Sequence, residues 1–274
     1  MSAVAPALSE EQIRKYWDDG FVGGIPVLTP DQMSVARGKL IQLEALSIRE
    51  HPTQWVDPQF APWSEVGSPW WHWFQGMARH PTIVQAACAI LGPNVLIRNA
   101  DIFVKPVGSN RRIQWHTDTT ACDHDADKML TAWLAISPSN EANGCVEWLT
   151  GSHRQPLPPE VKDKHSLSFG EASAERANAA ARAPNVLLPG QMSMHHFRTI
   201  HRSLGNRSDG PRIGLVIRFM ASDTSPSVAE SGKGVLVAGR NIPGHFTQTK
   251  HFPVSWVNRS TTPQLTAAAS DPHD

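Results

Sequence analysis

Residues 188–219 read LPGQMSMHHFRTIHRSLGNRSDGPRIGLVIRF, and the punctuation of this stretch decides the fold. Gln191–Phe197 and Ile213–Met220 are short apolar and β-rich runs, separated by the turn-forming residues Asn206-Arg207-Ser208-Asp209-Gly210-Pro211. Such runs read as strands. Moving outward, Leu96–Lys105, Met129–Ser137 and Cys145–Leu149 have the same character. Upstream of Val95 the signals are helical. Ser9-Glu10-Glu11-Gln12 is a capping box that starts a short helix ending near Gly20. Thr29-Pro30-Asp31-Gln32 starts another, which runs to about Glu50. A third spans roughly His80 to Leu91 and stops at Gly92-Pro93. Helices followed by many strands predict an α+β fold, a sandwich or jelly roll flanked by N-terminal helices.

Two stretches interrupt this pattern. Residues 51–75 set Trp55, Trp63, Trp70, Trp71 and Trp73 among Pro52, Pro58, Pro62 and Pro69, which reads as a long irregular loop. Its indoles are expected to pack between helices and sheet; the alternative is a cage for a quaternary ammonium group. Residues 156–184 read as an insertion with a helical stretch around 172–183, and insertions of this size tend to serve as lids. Both are expected to border a pocket entrance.

Composition narrows the function classes. The 274 residues carry 25 Lys plus Arg and 25 Asp plus Glu, a balance that argues against a phosphate-backbone footprint and hence against nucleic acid as a partner. Cys88, Cys122 and Cys145 offer neither a CxxC pair nor an even set, which suits a reducing cytoplasm. Cys145 is expected to be a small buried thiol. No secretory signal and no membrane-length apolar run is expected. The reading is a single domain over 1–274, with a helical part at about 1–93, a jelly-roll core at about 94–222 and a C-terminal extension at 223–274.

The chemistry begins at Trp115-His116-Thr117-Asp118. On a strand, residues i and i+2 share a face, so His116 and Asp118 can reach one metal together. A chain with 13 histidines and 14 aspartates holds about 0.7 His-x-Asp tripeptides by chance, so this one alone decides nothing. A facial triad needs a third, distant ligand, and the candidates lie in Met194-His195-His196-Phe197-Arg198-Thr199-Ile200-His201. The turn after His201 leads to Arg212 at the head of an apolar strand, where a guanidinium can grip a carboxylate with two hydrogen bonds.

At this point the chain resembles the phytanoyl-CoA dioxygenase family of iron(II)/2-oxoglutarate oxygenases. The segments that carry the resemblance are IRNADIFVKP (97–106), QWHTD (114–118), TAWLAISPSNEANGCVEWLTGSHR (131–154) and 188–219, within a span from the Phe21 region to about Phe246. The resemblance implies a double-stranded β-helix core. It implies His116, Asp118 and His201 as iron ligands, and Arg212 as the residue holding the far carboxylate of 2-oxoglutarate. Asn99 falls where relatives place an amide against the co-substrate, and Lys105 matches a frequent lysine near the site. His196 is expected to support a ligand; His153, like Gly144, Gly151 and Ser152, reads as structural. Arg202 stands where the family usually has glycine and is expected to place a charge near the cavity mouth. Because Asp118 is present, hydroxylation is implied rather than halogenation. The expected cofactors are Fe(II), 2-oxoglutarate and O2, with ascorbate stimulatory, and the expected partner is a small molecule, an aminophosphonate, amino-acid-like compound or secondary metabolite. A non-catalytic metal-binding jelly roll and a zinc hydrolase remain the alternatives, though a hydrolase leaves Arg212 unexplained.

Overall fold

The computed structural model describes residues 7–50, 69–119, 125–154, 161–162, 167–170, 182–224, 233–241, 246–252 and 254–257. Two of its helices begin as their sequences dictate. In α1 (Glu10–Asp19), Gln12 N donates to Ser9 Oγ at 3.2 Å and Ser9 N donates to Gln12 Oε1 at 2.9 Å. The same reciprocal pair, Thr29 with Gln32, opens α2 (Pro30–Glu50). Each box satisfies backbone donors that would otherwise have no partner, a contribution of about 1 kcal/mol.

The Trp-rich stretch needs correction. Residues 51–68 lie outside the described residues, but Pro69–Ala78 is a helix, α3, followed by α4 (Pro81–Leu91). Trp71, Phe74, Gln75 and Ala78 are its buried residues, spaced i, i+3, i+4 and i+7. That helical period was present in the sequence, masked by the tryptophans at 70 and 73. Trp71 lies edge-on to His251 with ring centroids 4.2 Å apart, and Trp73 packs against the main core, so these two indoles are packing elements.

The strands are β1 (Phe21–Pro26), β2 (Val95–Lys105), β3 (Ile113–Thr117), β4 (Met129–Ala135), β5 (Val146–Leu149), β6 (Val161–Lys162) and β7 (Leu167–Ser168). They continue with β8 (Arg182–Pro184), β9 (Gln191–His196), β10 (His201–Ser203), β11 (Arg212–Ala221), β12 (Lys233–Ala238), β13 (Thr247–Gln248) and β14 (Val254–Val257). A main sheet runs β1-β9-β4-β11-β2-β12-β13, with β14 also on β2; a smaller sheet runs β6-β7-β3-β10-β5-β8. With the helices, these two sheets make the expected α+β jelly roll. The main sheet is wider than residues 94–222, since β1 precedes that stretch and β12–β14 follow it. In 156–184, β6, β7 and β8 are short strands of the smaller sheet; of the helix expected around 172–183, residues 172–181 lie outside the described residues, and the last two belong to β8.

Strand alternation divides the main sheet into two unlike faces. The outer face, including Ile102, Leu130, Met194 and Ile217, shares one apolar cluster with Met33, Phe74 and Ile83 of the helices. Burial of such side chains stabilises by about 1.5–3 kcal/mol each. The inner face looks toward the smaller sheet and carries polar and charged groups. Gly214 sits on it because a Cβ there would lie 2.1 Å from the Trp133 ring, which occupies that space.

Candidate metal centre

β3 and β10 are antiparallel neighbours, and their register sets His201 opposite His116. The two imidazole centroids are 4.1 Å apart. Asp118 is not on the strand: β3 ends at Thr117, and Asp118 follows in a bend where its N–H donates to Phe197 O at 3.1 Å. The bend, rather than a shared strand face, brings its carboxylate to the histidines. One ligand atom from each of His116, Asp118 and His201 lies within 4.8 Å of the others.

The protonation states follow from the neighbours. His116 Nδ1 meets Gln114 O at 2.8 Å and His201 Nδ1 meets Thr199 O at 2.9 Å. A carbonyl can only accept, so each Nδ1 carries the proton and each Nε2 keeps its lone pair. Burial holds both imidazoles below their usual pKa, the nearby Asp118 opposing the shift. For Asp118, burial alone would raise the carboxyl. Arg218, His195 and His201 together outweigh it, and the group sits well below the carboxylate range. Two neutral nitrogens and one ionised oxygen on one side of the site match the donor set of a 2-His-1-carboxylate metal centre.

Asp118 is held by a row of residues crossing the inner face of the main sheet. Register pairs His195 of β9 with Thr131 of β4, Thr131 with Arg218 of β11, and Arg218 with Asn99 of β2. Thr131 Oγ1 donates to Asp118 Oδ2 at 2.6 Å, and His195 Nε2 lies 3.1 Å from the same oxygen. Arg218 pairs closely with Asp101 and reaches Asp118 Oδ1 at 3.5 Å. Despite burial, Asp118 and Asp101 raise its pKa above the ordinary arginine value. Asn99 Nδ2 lies 3.4 Å from Asp101 Oδ2.

A second row lies further along β11, where Arg212 pairs in register with Lys105. Both side chains are buried, and each donates to a main-chain carbonyl, Arg212 to Gly144 O and Lys105 to Leu204 O. Gly144 has φ 70, and a Cβ there would lie 2.2 Å from Leu204 O, so glycine alone lets the two backbones meet behind the cations. Asn206 fixes the approach: its Nδ2 donates to Lys105 O at 3.0 Å and to Gly210 O at 2.8 Å. Among the described residues, Arg212 Nε is buried without a partner. Burial lowers Arg212 to about 10, and burial followed by the Arg212 charge lowers Lys105 to about 6. A buried guanidinium beside a buried amine, with no ion pair to a carboxylate among the described residues, suits an anionic ligand. Nearby Cys145 is a buried thiol pushed up to about 11, largely by burial, in keeping with an inert role.

Several sequence expectations change here. His195, not His196, contacts the Asp118 carboxylate. His196 faces the opposite side of β9, 3.1 Å from Asp127 and near Trp17 and His153. His153 donates from Nε2 to Trp17 O at 3.0 Å, in keeping with a structural role. Arg202 points away from the site: alternation turns it to the outer face of the smaller sheet, where it pairs with Glu147 at 2.8 Å and lies 4.4 Å from the Trp115 ring centre. Sequence reasoning missed Thr131, Arg218 and Asp101, and named His195 only among the candidates for the distal ligand. A strand period did offer Arg218, an even number of residues beyond Arg212.

A family model described as phytanoyl-CoA dioxygenase (PhyH) matches residues 70–214. A probable alpha-ketoglutarate-dependent hypophosphite dioxygenase of Stutzerimonas stutzeri is 30% identical over 177 residues, 60% of each chain. Ectoine dioxygenase of Bordetella parapertussis is 28% identical over 164 residues, 55% of this chain and 51% of that protein. Both matches thus span less than two thirds of the relative's own length. Among solved structures, a nickel complex of the non-heme monooxygenase ThoJ superposes with a TM-score of 0.66 at 22% identity, covering 88% of both chains, a likeness of fold.

Proposed function

Since this chain belongs to the phytanoyl-CoA dioxygenase family, we propose that it is an iron(II)- and 2-oxoglutarate-dependent dioxygenase that hydroxylates a C–H bond of a small molecule. The observation that carries this reading is the presence of two sites on facing sheets, one built on the smaller sheet and one on the inner face of the main sheet. One is a His/Asp/His donor set. The other is a buried Arg212–Lys105 pair whose arginine has an unpartnered Nε. A generic metal site explains the first and leaves the second without purpose.

In this reading, His116 and His201 give Nε2 and Asp118 gives a carboxylate oxygen to the iron. Arg212 grips the far carboxylate of 2-oxoglutarate with its planar fork, and Lys105 adds a second positive charge. Asn99 offers its amide toward the co-substrate from the row beneath Asp118. When bound, iron and 2-oxoglutarate supply the oxidising chemistry, in which O2 yields succinate, carbon dioxide and the hydroxyl of the product. The protein positions the reactants and keeps water from the buried end.

The substrate is proposed to be small and polar. Asn99, Asp101 and Arg218 make the inner face beneath the centre hydrophilic, and the relatives named above act on hypophosphite and ectoine. No described helix is long and apolar enough to cross a membrane; a cytoplasmic location belongs to the same reading. The test is succinate release from 2-oxoglutarate with Fe(II), ascorbate and air across a panel of small phosphonates, amino acids and related zwitterions. Turnover should vanish in His116→Ala, Asp118→Ala and His201→Ala while far-UV circular dichroism stays unchanged. An unchanged rate in any one variant would remove that residue from the ligand set. A wild type that binds iron and yields no succinate with any compound would favour the non-catalytic alternative.

A further inference from the structure

We propose that Thr131 and His195 are positioning residues that fix Asp118 as a one-oxygen ligand, with Arg218 guarding its flank. This inference rests on the metal-centre reading above. An ionised carboxylate oxygen has about two acceptor positions. Asp118 Oδ2 has both engaged, by Thr131 Oγ1 at 2.6 Å and by His195 Nε2 at 3.1 Å. Because a carboxylate can only accept, His195 carries its proton on Nε2 in this contact. Oδ1 has only the 3.5 Å approach of Arg218, long for a charge-assisted bond, and so keeps a lone pair to give.

The donors are rigidly placed. Thr131 and His195 are register partners on adjacent strands, and both are buried. Thr131 is a polar residue within the fully buried strand MLTAWLA, where a hydroxyl without a partner would be costly. Among the described residues, its hydroxyl bonds to Asp118. Arg218 is in turn tied to Asp101, so its guanidinium cannot swing over to take Oδ2. Two bonds on one oxygen fix the rotation of the carboxylate plane, and second partners of this kind tune metal affinity about 10- to 100-fold.

The experiment titrates Co(II) into the apo-protein and follows its visible absorption. Thr131→Val keeps the shape of the side chain and His195→Leu removes the donor; each should weaken Co(II) about 10- to 100-fold. Thr131→Ser and His195→Gln restore a donor and should recover binding to within about threefold of wild type. The proposal is overturned if the Val and Leu variants bind like wild type. It is also overturned if folded Ser and Gln variants lose as much affinity as Val and Leu. A crystal structure of the Co(II)-loaded wild type gives a test independent of any variant's folding: both Asp118 oxygens on the metal would overturn it. A His201→Ala control separates the two readings. If wild type fails to bind Co(II), or His201→Ala binds it equally well, the metal centre itself is wrong. If that control behaves and only Thr131→Val is silent, the positioning role alone falls.

Discussion

Arg212 and Arg218 stand on the same face of β11, about 20 Å apart at ~3.3 Å per residue, and their surroundings are opposites. Arg218 lies between two carboxylates, Asp101 and Asp118, which raise its pKa. Arg212 donates to a main-chain carbonyl, neighbours Lys105, and is lowered to about 10 by burial. One arginine has its counter-charges built into the fold. On the proposed reading, the other receives one from the co-substrate. The difference teaches that a buried charge says little about function until its partners are counted: a satisfied one organises the protein, and an unsatisfied one points to a ligand.

The contrast breaks most visibly at Arg218. Arg218→Met removes the cation that Asp101 and Asp118 share, and loss of one partner from a buried ion network costs about 3–5 kcal/mol. A lowered urea midpoint is expected, partly restored by Co(II), which supplies positive charge to Asp118. A midpoint equal to wild type would mean that the carboxylates are compensated elsewhere. At Arg212 the expectation reverses. Arg212→Met should leave the apo-protein as stable as wild type or more so. Loss of hydrogen bonds to a charged ligand group, about 1.5–3 kcal/mol, should weaken 2-oxoglutarate roughly ten- to more than a hundredfold. Co(II) binding should change little, and the paired titrations report both.

Lys105 sharpens the same comparison through pH. In the free protein its pKa is lowered to about 6, and a bound dianion would raise it. Binding therefore takes up a proton in the window above pH 6. Affinity for 2-oxoglutarate should fall as pH rises there, by at most about tenfold per unit for one proton. Calorimetry in buffers of different ionisation enthalpy measures the uptake, and Lys105→Met should abolish it. The smallest effect is expected at Arg202. Its largely shielded pair with Glu147 lies on the far side of the smaller sheet, so Arg202→Met should leave 2-oxoglutarate binding as it is. A large loss of co-substrate affinity would return Arg202 to the mouth of the site.

Local rules carried the elements whose signals are local. Capping boxes at Ser9 and Thr29, the turn at 206–211 and the β-rich runs were all legible because a cap or turn depends on residues a few positions apart. Helix α3 was not, because its i, i+3, i+4, i+7 face is only one of several apolar faces on a tryptophan-rich segment. His116, Asp118, His201 and Arg212 were legible through spacing and family resemblance, and they do lie on the inner side.

By itself, then, the sequence determined the starts of α1, α2 and α4 and the strand-rich core, and its family resemblance singled out the candidate ligands and Arg212 as the candidate anion-binding residue. The tertiary structure alone decided that His195 rather than its neighbour His196 meets Asp118, that Arg202 turns outward, and that Thr131 and Arg218 join His195 in one row. The reason is geometric. Which side chains stand beside each other across a sheet depends on register between strands distant in sequence, and a shift of one residue would send every side chain to the opposite face.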